Sequence, residues 1–361
     1  MIFFIYLIGV NYKFEKYMER NNKVLKKSYI PEQEYHLKLS KIFNNLSFGL
    51  SSVGNPSTWM NIHFPKDNER LKNSNYFLND KKNLIHFTSL KALYSIINEQ
   101  TLRLYNLNNS NDQYEYNYAA NNYGAIYRNQ GSNQNDIDLL FNKLKTNAFI
   151  LSLTECKELY NDFFWQSYAD NGRGVAIEFE IVNEPLEWEN FYFTKVKYGG
   201  LEKIKQAIKE VKKLQAKNHW TEYNLELNPF FALHKKNIEK WRKENEIRIL
   251  THNSFLEEFV KYIYNDVKNN GNELIYTQYI KLPLYNMKSL EVNKCRKIPD
   301  LKISKIYFGS NINYPNIYPN SGFNDFRNEL WHYIVGKFGN ILDYKDLIDI
   351  NELNRKILRK V

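Results

Sequence analysis

Cysteine is scarce: Cys156 and Cys295 are the only two in 361 residues, far apart and without a CxxC or CxxH spacing. This removes the common zinc patterns and a disulfide framework, and suits a chain kept in a reducing cytoplasm. Glycine-rich loops of the P-loop and dinucleotide types are missing, which excludes those two ways of cradling phosphates. HExxH, GxSxG and paired-metal His/Asp clusters are missing too, and the seven histidines are scattered. Long hydrophobic runs are absent. The opening "MIFFIYLIGV" is too short to span a bilayer and lacks the basic start and cleavage site of a signal peptide. It reads as a buried strand or a misassigned upstream start rather than an anchor, and no membrane partner is expected.

What is present is ordinary in bulk and unusual in detail. Hydrophobic residues at 43% and charged residues at 25% allow a sizeable core. The net charge of +10 favours an anionic partner, either nucleic acid or a small-molecule nucleotide. Lysines and arginines are spread along the chain, however, so a generally basic surface is the simpler reading. Aromatics reach 16%, with 28 tyrosines. Tyrosine fills cores with a polar tip and also stacks on bases, but a coding bias toward Asn, Lys, Tyr and Ile gives the same surplus.

Along the chain, residues 1–80 read as a polar N-terminal extension packed on the main domain. A core follows over 81–315. "NLIHFTS" is a short strand, and "SLKALYSIINEQ" is a helix with a serine cap and Leu90, Leu93, Ile96 and Ile97 at helical spacing. "TLRLYNL", "AFILSLTE", "GVAIEFEI", "FTKVKYGG", "NEIRILTH", "YIKLPLY" and "ISKIYFGS" read as further strands. Residues 201–243 look helical and highly charged, an insertion broken near Pro229. Residues 316–361 read as a helical C-terminal segment. Strands and helices do not alternate regularly, so the fold class is α+β rather than a doubly wound parallel sheet.

Several stretches hold chemistry-bearing residues. His86 sits near the end of a strand, with Thr88 and Ser89 placed to cap the next helix. "SNDQYE" offers Asn111, Asp112 and Glu115, most simply an Asx-turn before a helix. Trp165, Gln166 and Tyr168 precede Asp170 and a glycine turn, a mixture that suits a core or the wall of a cleft. In "WRKENEIRIL", a strand would align Glu244, Glu246 and Arg248 on one face, the glutamates about 6.6 Å apart. Two carboxylates so placed can divide labour between binding a sugar hydroxyl and stabilising a cation. A solvent-facing strand with one weak ion pair explains the pattern equally simply, and by pattern alone ranks first.

Taken in order, "IHFTSLKALYSIINEQTLRLYNLNNSNDQYEY", "FILSLTE", "WQSYADNGRGVAIEFE", "VKYGG", "HKKNIEKWRKENEIRIL" and "KIYFGS" resemble the bacterial family called domain of unknown function 2971, over roughly residues 83–312. The sequence departs from that pattern at Phe87, often Tyr, and Gln113, often Pro. More distantly, a strand with His-x-Thr, a helix and "TLRL" looks like the opening of ADP-ribosyltransferase folds. That resemblance implies a split-sheet core and NAD as the bound dinucleotide. Within it His86 would hold the nicotinamide ribose, and Ser152 or Tyr168 would occupy the second element. Glu246 would be the catalytic carboxylate, with Glu244 completing an E-x-E pair. Thr88, Asn111, Asp112, Trp165 and Arg248 would line the dinucleotide site.

Three functions follow as expectations. One is an ADP-ribosyltransferase-like enzyme acting on nucleic acid or protein, as a toxin or phage-defence effector. Another is a metal-dependent nucleic-acid processing enzyme using Asp112, Glu115, Glu244 and Glu246 as ligands. The last is a non-catalytic binding module in which the glutamates and Arg248 form a structural charge network.

Overall fold

The computed structural model describes residues 37–41, 49–53, 59–63, 68–78, 83–109, 134–206, 222–226, 230–252, 263–270, 273–285, 298–312, 323–338 and 349–352, with positions 117–118, 121–122, 209 and 213. The strands are β1 (Gly49–Val53), β2 (Trp59–His63), β3 (Leu84–Thr88), β4 (Thr101–Asn106) and β5 (Ala148–Glu155). Next come β6 (Val175–Ile181), β7 (Phe191–Lys195), β8 (Lys197–Tyr198), β9 (Glu222–Glu226) and β10 (His234–Lys235). The series ends with β11 (Ile247–His252), β12 (Ile263–Asn270), β13 (Glu273–Pro283), β14 (Leu301–Phe308) and β15 (Asp349–Glu352).

Among the described residues, ten strands make one curled, mostly antiparallel sheet. One part runs β12-β13-β4-β5-β11-β7, and the other runs β3-β6-β14-β15. They meet at β5, which forks. On one edge β5 pairs with β11 along most of its length, Ala148 to Leu153. On the other edge Phe149 and Ile150 pair with β4, whereas Thr154 and Glu155 pair with β3. Ser152 therefore lies between two partners that diverge. The architecture is α+β, as expected from the order of elements.

Alternation explains how the sheet is covered. Phe149, Leu151 and Leu153 of β5 point to the same core as Ile247 and Ile249 of β11 and Val175, Ile177 and Phe179 of β6. The helix Leu90–Glu99 adds Leu93, Ile96 and Ile97 to this core. Ser89 caps that helix by accepting from the Ala92 amide, while Thr88 is the last residue of β3. Gln100, at φ 55°, ends it in a left-handed conformation. The helix Asp162–Tyr168 covers the other face, packing Phe164 and Trp165 on Ile85, Phe87 and Ala176.

Two expectations need correction. Residues 201–243 are not a helical insertion throughout. Residues 201–206, 209 and 213 are helical, but among the described residues β9, the 3-10 helix Phe230–Leu233, β10 and the short helix Glu239–Arg242 follow. β9 pairs with β2, joining this stretch to the N-terminal extension. The charge density suggested an exposed helix, whereas backbone pairing made it partly strand. The C-terminal segment is also mixed: the helix Phe323–Phe338 is followed by β15, which pairs parallel with β14. The opening "MIFFIYLIGV" lies outside the described residues. Among those described, no helix is long and apolar enough to cross a membrane.

The "ADNGRG" turn is locked against the end of β14. Asp170, Asn171 and Gly172 have φ of 49°, 54° and 79°. The Gly309 amide donates to the Gly174 carbonyl at 3.0 Å, and the Asn311 amide donates to the Gly172 carbonyl at 3.0 Å. A Cβ on Gly309 would stand 2.1 Å from the Gly172 oxygen, where nothing can give but backbone. Gly309→Ala is thus expected to cost about 3 kcal/mol by overpacking, read as a lowered urea midpoint. An unchanged midpoint would show that these turns do not touch.

Candidate functional site

β11 and β5 pair so that Arg248 stands opposite Ser152, and cross-strand partners share a face. Just upstream the chain is not strand. The helix Glu239–Arg242 ends in a turn, Asn245 takes φ 41°, and β11 starts only at Ile247. The expected single line of Glu244, Glu246 and Arg248 along one strand is therefore corrected, because the left-handed Asn245 breaks the alternation. The solvent-facing alternative is corrected as well. Glu244 is 7% exposed, Glu246 5% and Arg248 1%.

The three side chains nevertheless meet, through a residue the sequence did not single out. Lys235 Nζ lies 2.6 Å from Glu244 Oε2 and 2.7 Å from Glu246 Oε2, bridging both. Arg248 Nε donates to Glu246 Oε1 at 2.8 Å, and its Nη2 donates to Oε2 at 3.0 Å. Its Nη1 donates to the Ala232 carbonyl. Ser152 Oγ donates to Glu246 Oε1 at 2.5 Å, and Tyr168 Oη donates to Glu244 Oε1 at 2.6 Å. The Glu246 amide donates to Tyr198 Oη at 3.1 Å, fixing the turn from below. Two carboxylates face two cations, so the buried charge balances.

Electrostatics separate these groups. Burial alone would raise the Glu246 carboxyl, but Arg248 and Lys235 outweigh it and hold Glu246 well below the usual carboxylate range. Burial, with Glu244 beside it, pushes the Tyr168 phenol far up, so it stays a donor at neutral pH. Burial lowers His86, opposed by its bond to the Ser152 carbonyl. His86 Nδ1 lies 3.1 Å from that carbonyl oxygen. A carbonyl only accepts, so Nδ1 carries the proton and neutral His86 presents Nε2 as an acceptor. The imidazole thus bridges the fork between β3 and β5.

Ser152, Tyr168, Glu244, Glu246 and Arg248 accordingly form one connected side-chain cluster, with Lys235, which His86 joins only through the Ser152 backbone carbonyl. Ser152 and Tyr168 are solvent-exposed, while the charged groups lie beneath. The remaining expected residues fall elsewhere. Thr88 pairs with Val175 at the far end of β3. Trp165 is a core residue, its Nε1 donating to the Leu159 carbonyl at 2.7 Å and its ring edge-on to Phe87. It also lines a separate pocket of about 240 Å³ with Asp162, Gln166, Asn171, Gly172, Ser310 and Asn311. Asn111, Asp112 and Glu115 lie outside the described residues. Among the described residues, no group of three or more His, Cys, Asp or Glu side chains is placed to hold a metal ion.

Lys235 and Tyr198 were missed because 201–243 read as a solvated helix and "VKYGG" as a plain strand. One signal was available. Two glutamates against a single arginine leave a negative charge over, which a buried site must neutralise.

A family model described as a protein of unknown function (DUF2971) matches residues 164–249. That range holds Tyr168, Tyr198, Lys235, Glu244, Glu246 and Arg248, with His86 and Ser152 upstream of it, and it supports the resemblance to this family drawn from motif order. No curated protein and no solved structure matches the chain.

Proposed function

We propose that the chain is an ADP-ribosyltransferase-like enzyme that takes NAD as substrate and passes its ADP-ribosyl group to an acceptor. The observation that carries the reading is the contact chain His86–Ser152–Glu246 across a forked sheet, drawn from an early, a middle and a late strand region. The distant resemblance orders these residues in the same way. The fork also supports a split-sheet core of that type.

The chemistry is balanced. The bond between ribose C1′ and the nicotinamide nitrogen breaks, and its electron pair leaves with nicotinamide. Positive charge grows on C1′, and an acceptor nucleophile attacks there, giving up its proton. A fixed carboxylate lowers the energy of that charge without reorganising. Glu246 is such a group. Its Oε1 accepts from Ser152 and Arg248, and its Oε2 from Arg248 and Lys235. A ribose hydroxyl reaches this carboxylate beside the exposed Ser152 hydroxyl, whose bond to Oε1 holds the carboxylate in place. Glu244 is less occupied, with one donor on each oxygen among the described contacts, and takes the acceptor's proton. His86 Nε2 accepts from a second hydroxyl.

The saturation of Glu246 favours one other reading, a non-catalytic module in which the ion network only supports the fold. Nicotinamide release from NAD by purified protein, with and without chelator, distinguishes them. Turnover indifferent to chelator is expected, and Ser152→Ala should lower kcat about tenfold or more, the worth of one hydrogen bond to a charged group. Ser152 is exposed, so the fold tolerates this change. No NAD binding by calorimetry would sink the transferase reading.

A further inference from the structure

A row of tyrosines crosses the sheet away from the fork. In register, Tyr264 of β12 stands opposite Tyr279 of β13, Tyr279 opposite Tyr105 of β4, and Tyr105 opposite Ile150 of β5. Opposed residues share a face, and the two-residue period puts Ser152 on the side of Ile150. The tyrosine row therefore lies on the same sheet face as Ser152 and Arg248. The rings touch in sequence. Tyr264 stacks on Tyr279 at 5.8 Å and 16°, and Tyr279 meets Tyr105 at 5.7 Å and 54°.

Two cations lie over these rings. Arg103 is 4.3 Å from the centre of Tyr279 and Lys281 is 4.7 Å from that of Tyr264. They stand opposite one another on β4 and β13. Glu99 pairs with both, and Asp266 pairs with Arg103 at 3.3 Å, which fixes the cations above the rings. Tyr264, the outermost ring, is 41% exposed. On the opposite face of the same hairpin Val267 stands opposite Tyr276, and both are exposed, as is Leu274. Rings beside ion-paired cations distinguish this face from the opposite one, which exposes Val267, Leu274 and Tyr276, and from a protein-docking patch, whose centre is depleted of charge.

We propose that this face of β12, β13 and β4 is a stacking platform for single-stranded nucleic acid and leads the strand toward the fork at Ser152. Unpaired bases stack on Tyr264, and phosphates compete with Glu99 and Asp266 for Lys281 and Arg103, within a chain of net charge +10. At the usual strand spacing Tyr264 lies about 14 Å from β5, a few nucleotides. Paired bases hide their faces, so duplex is not the ligand. The delivery of an acceptor to the fork rests on the transferase reading; the binding itself does not.

The test is fluorescence anisotropy of labelled oligo(dT) and oligo(U) of about fifteen nucleotides with the full chain. Binding of either is expected, the tighter one naming DNA or RNA as the source. Tyr264→Ala should weaken it about tenfold or more. Tyr276→Ala, on the same hairpin but the other face, should leave it unchanged. No binding of either strand, equal loss in both variants, or equal affinity for duplex would overturn the proposal. So would sedimentation showing that Tyr264 instead holds two copies of the chain together. Binding without NAD turnover leaves the platform and removes the transferase; turnover without binding does the reverse.

Discussion

Arg248→Met is expected to destabilise the protein by about 3–5 kcal/mol, the range for removing one partner of a buried ion pair. Arg248 is among the largest fully buried side chains, and its guanidinium makes two bonds to Glu246 and one to the Ala232 carbonyl. Methionine fills much of the volume but none of the charge. Glu246 would then share Lys235 with Glu244, two buried carboxylates on one ammonium, and the Ala232 carbonyl would lose a donor. The double variant Glu246→Met, Arg248→Met leaves Lys235 paired with Glu244 alone and should recover most of the loss. Urea midpoints of the two single variants and the double variant measure the coupling. A loss under about 1 kcal/mol for Arg248→Met would place the network in water-like surroundings.

What could be read from the sequence follows from where side-chain periodicity reflects burial. β5, β6 and β11 alternate or run apolar because they sit between packed layers, so their residues identify them. Leu93, Ile96 and Ile97 mark their helix for the same reason, and Ser89 its start. β12, "IYNDVKNN", is polar because it is an outer strand of the sheet, and nothing in its pattern marks it as strand. β9 and β10 were hidden by charge. In the candidate site, His86, Ser152, Tyr168 and the two glutamates were legible by type and order. Their relation to Lys235 was not, because a lysine that joins two carboxylates looks like any surface lysine until the fold supplies them. The burial of Glu244 and Glu246 was not legible either. It arises from Asn245 turning left-handed, which turns both carboxylates toward Lys235.

Glu246→Gln is expected to lower nicotinamide release by about 10²–10³-fold, as when a fixed group facing the developing charge is removed. The amide is nearly isosteric but neutral, so it cannot offset positive charge at ribose C1′. It also leaves Arg248 and Lys235 less well compensated, and a loss of fold would mimic a loss of chemistry. Glu246→Asp resolves this. It keeps the charge and pulls the carboxylate back by one methylene, so the fold should survive while turnover falls by at least tenfold or so. pH separates structure from chemistry. Because its pKa in the fold lies below the ordinary 4.5, Glu246 contributes stability that is fully present above about pH 4.5 and fades as pH falls through the lower value. The stability gap between wild type and Glu246→Gln should therefore hold from neutral pH to about 4.5 and close below it. Glu246 stays ionised throughout the range in which turnover is measured, so any acid limb belongs to another group. His86, lowered by burial from 6.5, is neutral at pH 7, and its protonation removes the Nε2 acceptor. Turnover should then decline only below pH 6.5, and His86→Gln should abolish that limb. If Glu246→Asp folds and turns over NAD as fast as wild type, the network serves the fold alone and the chemistry lies elsewhere.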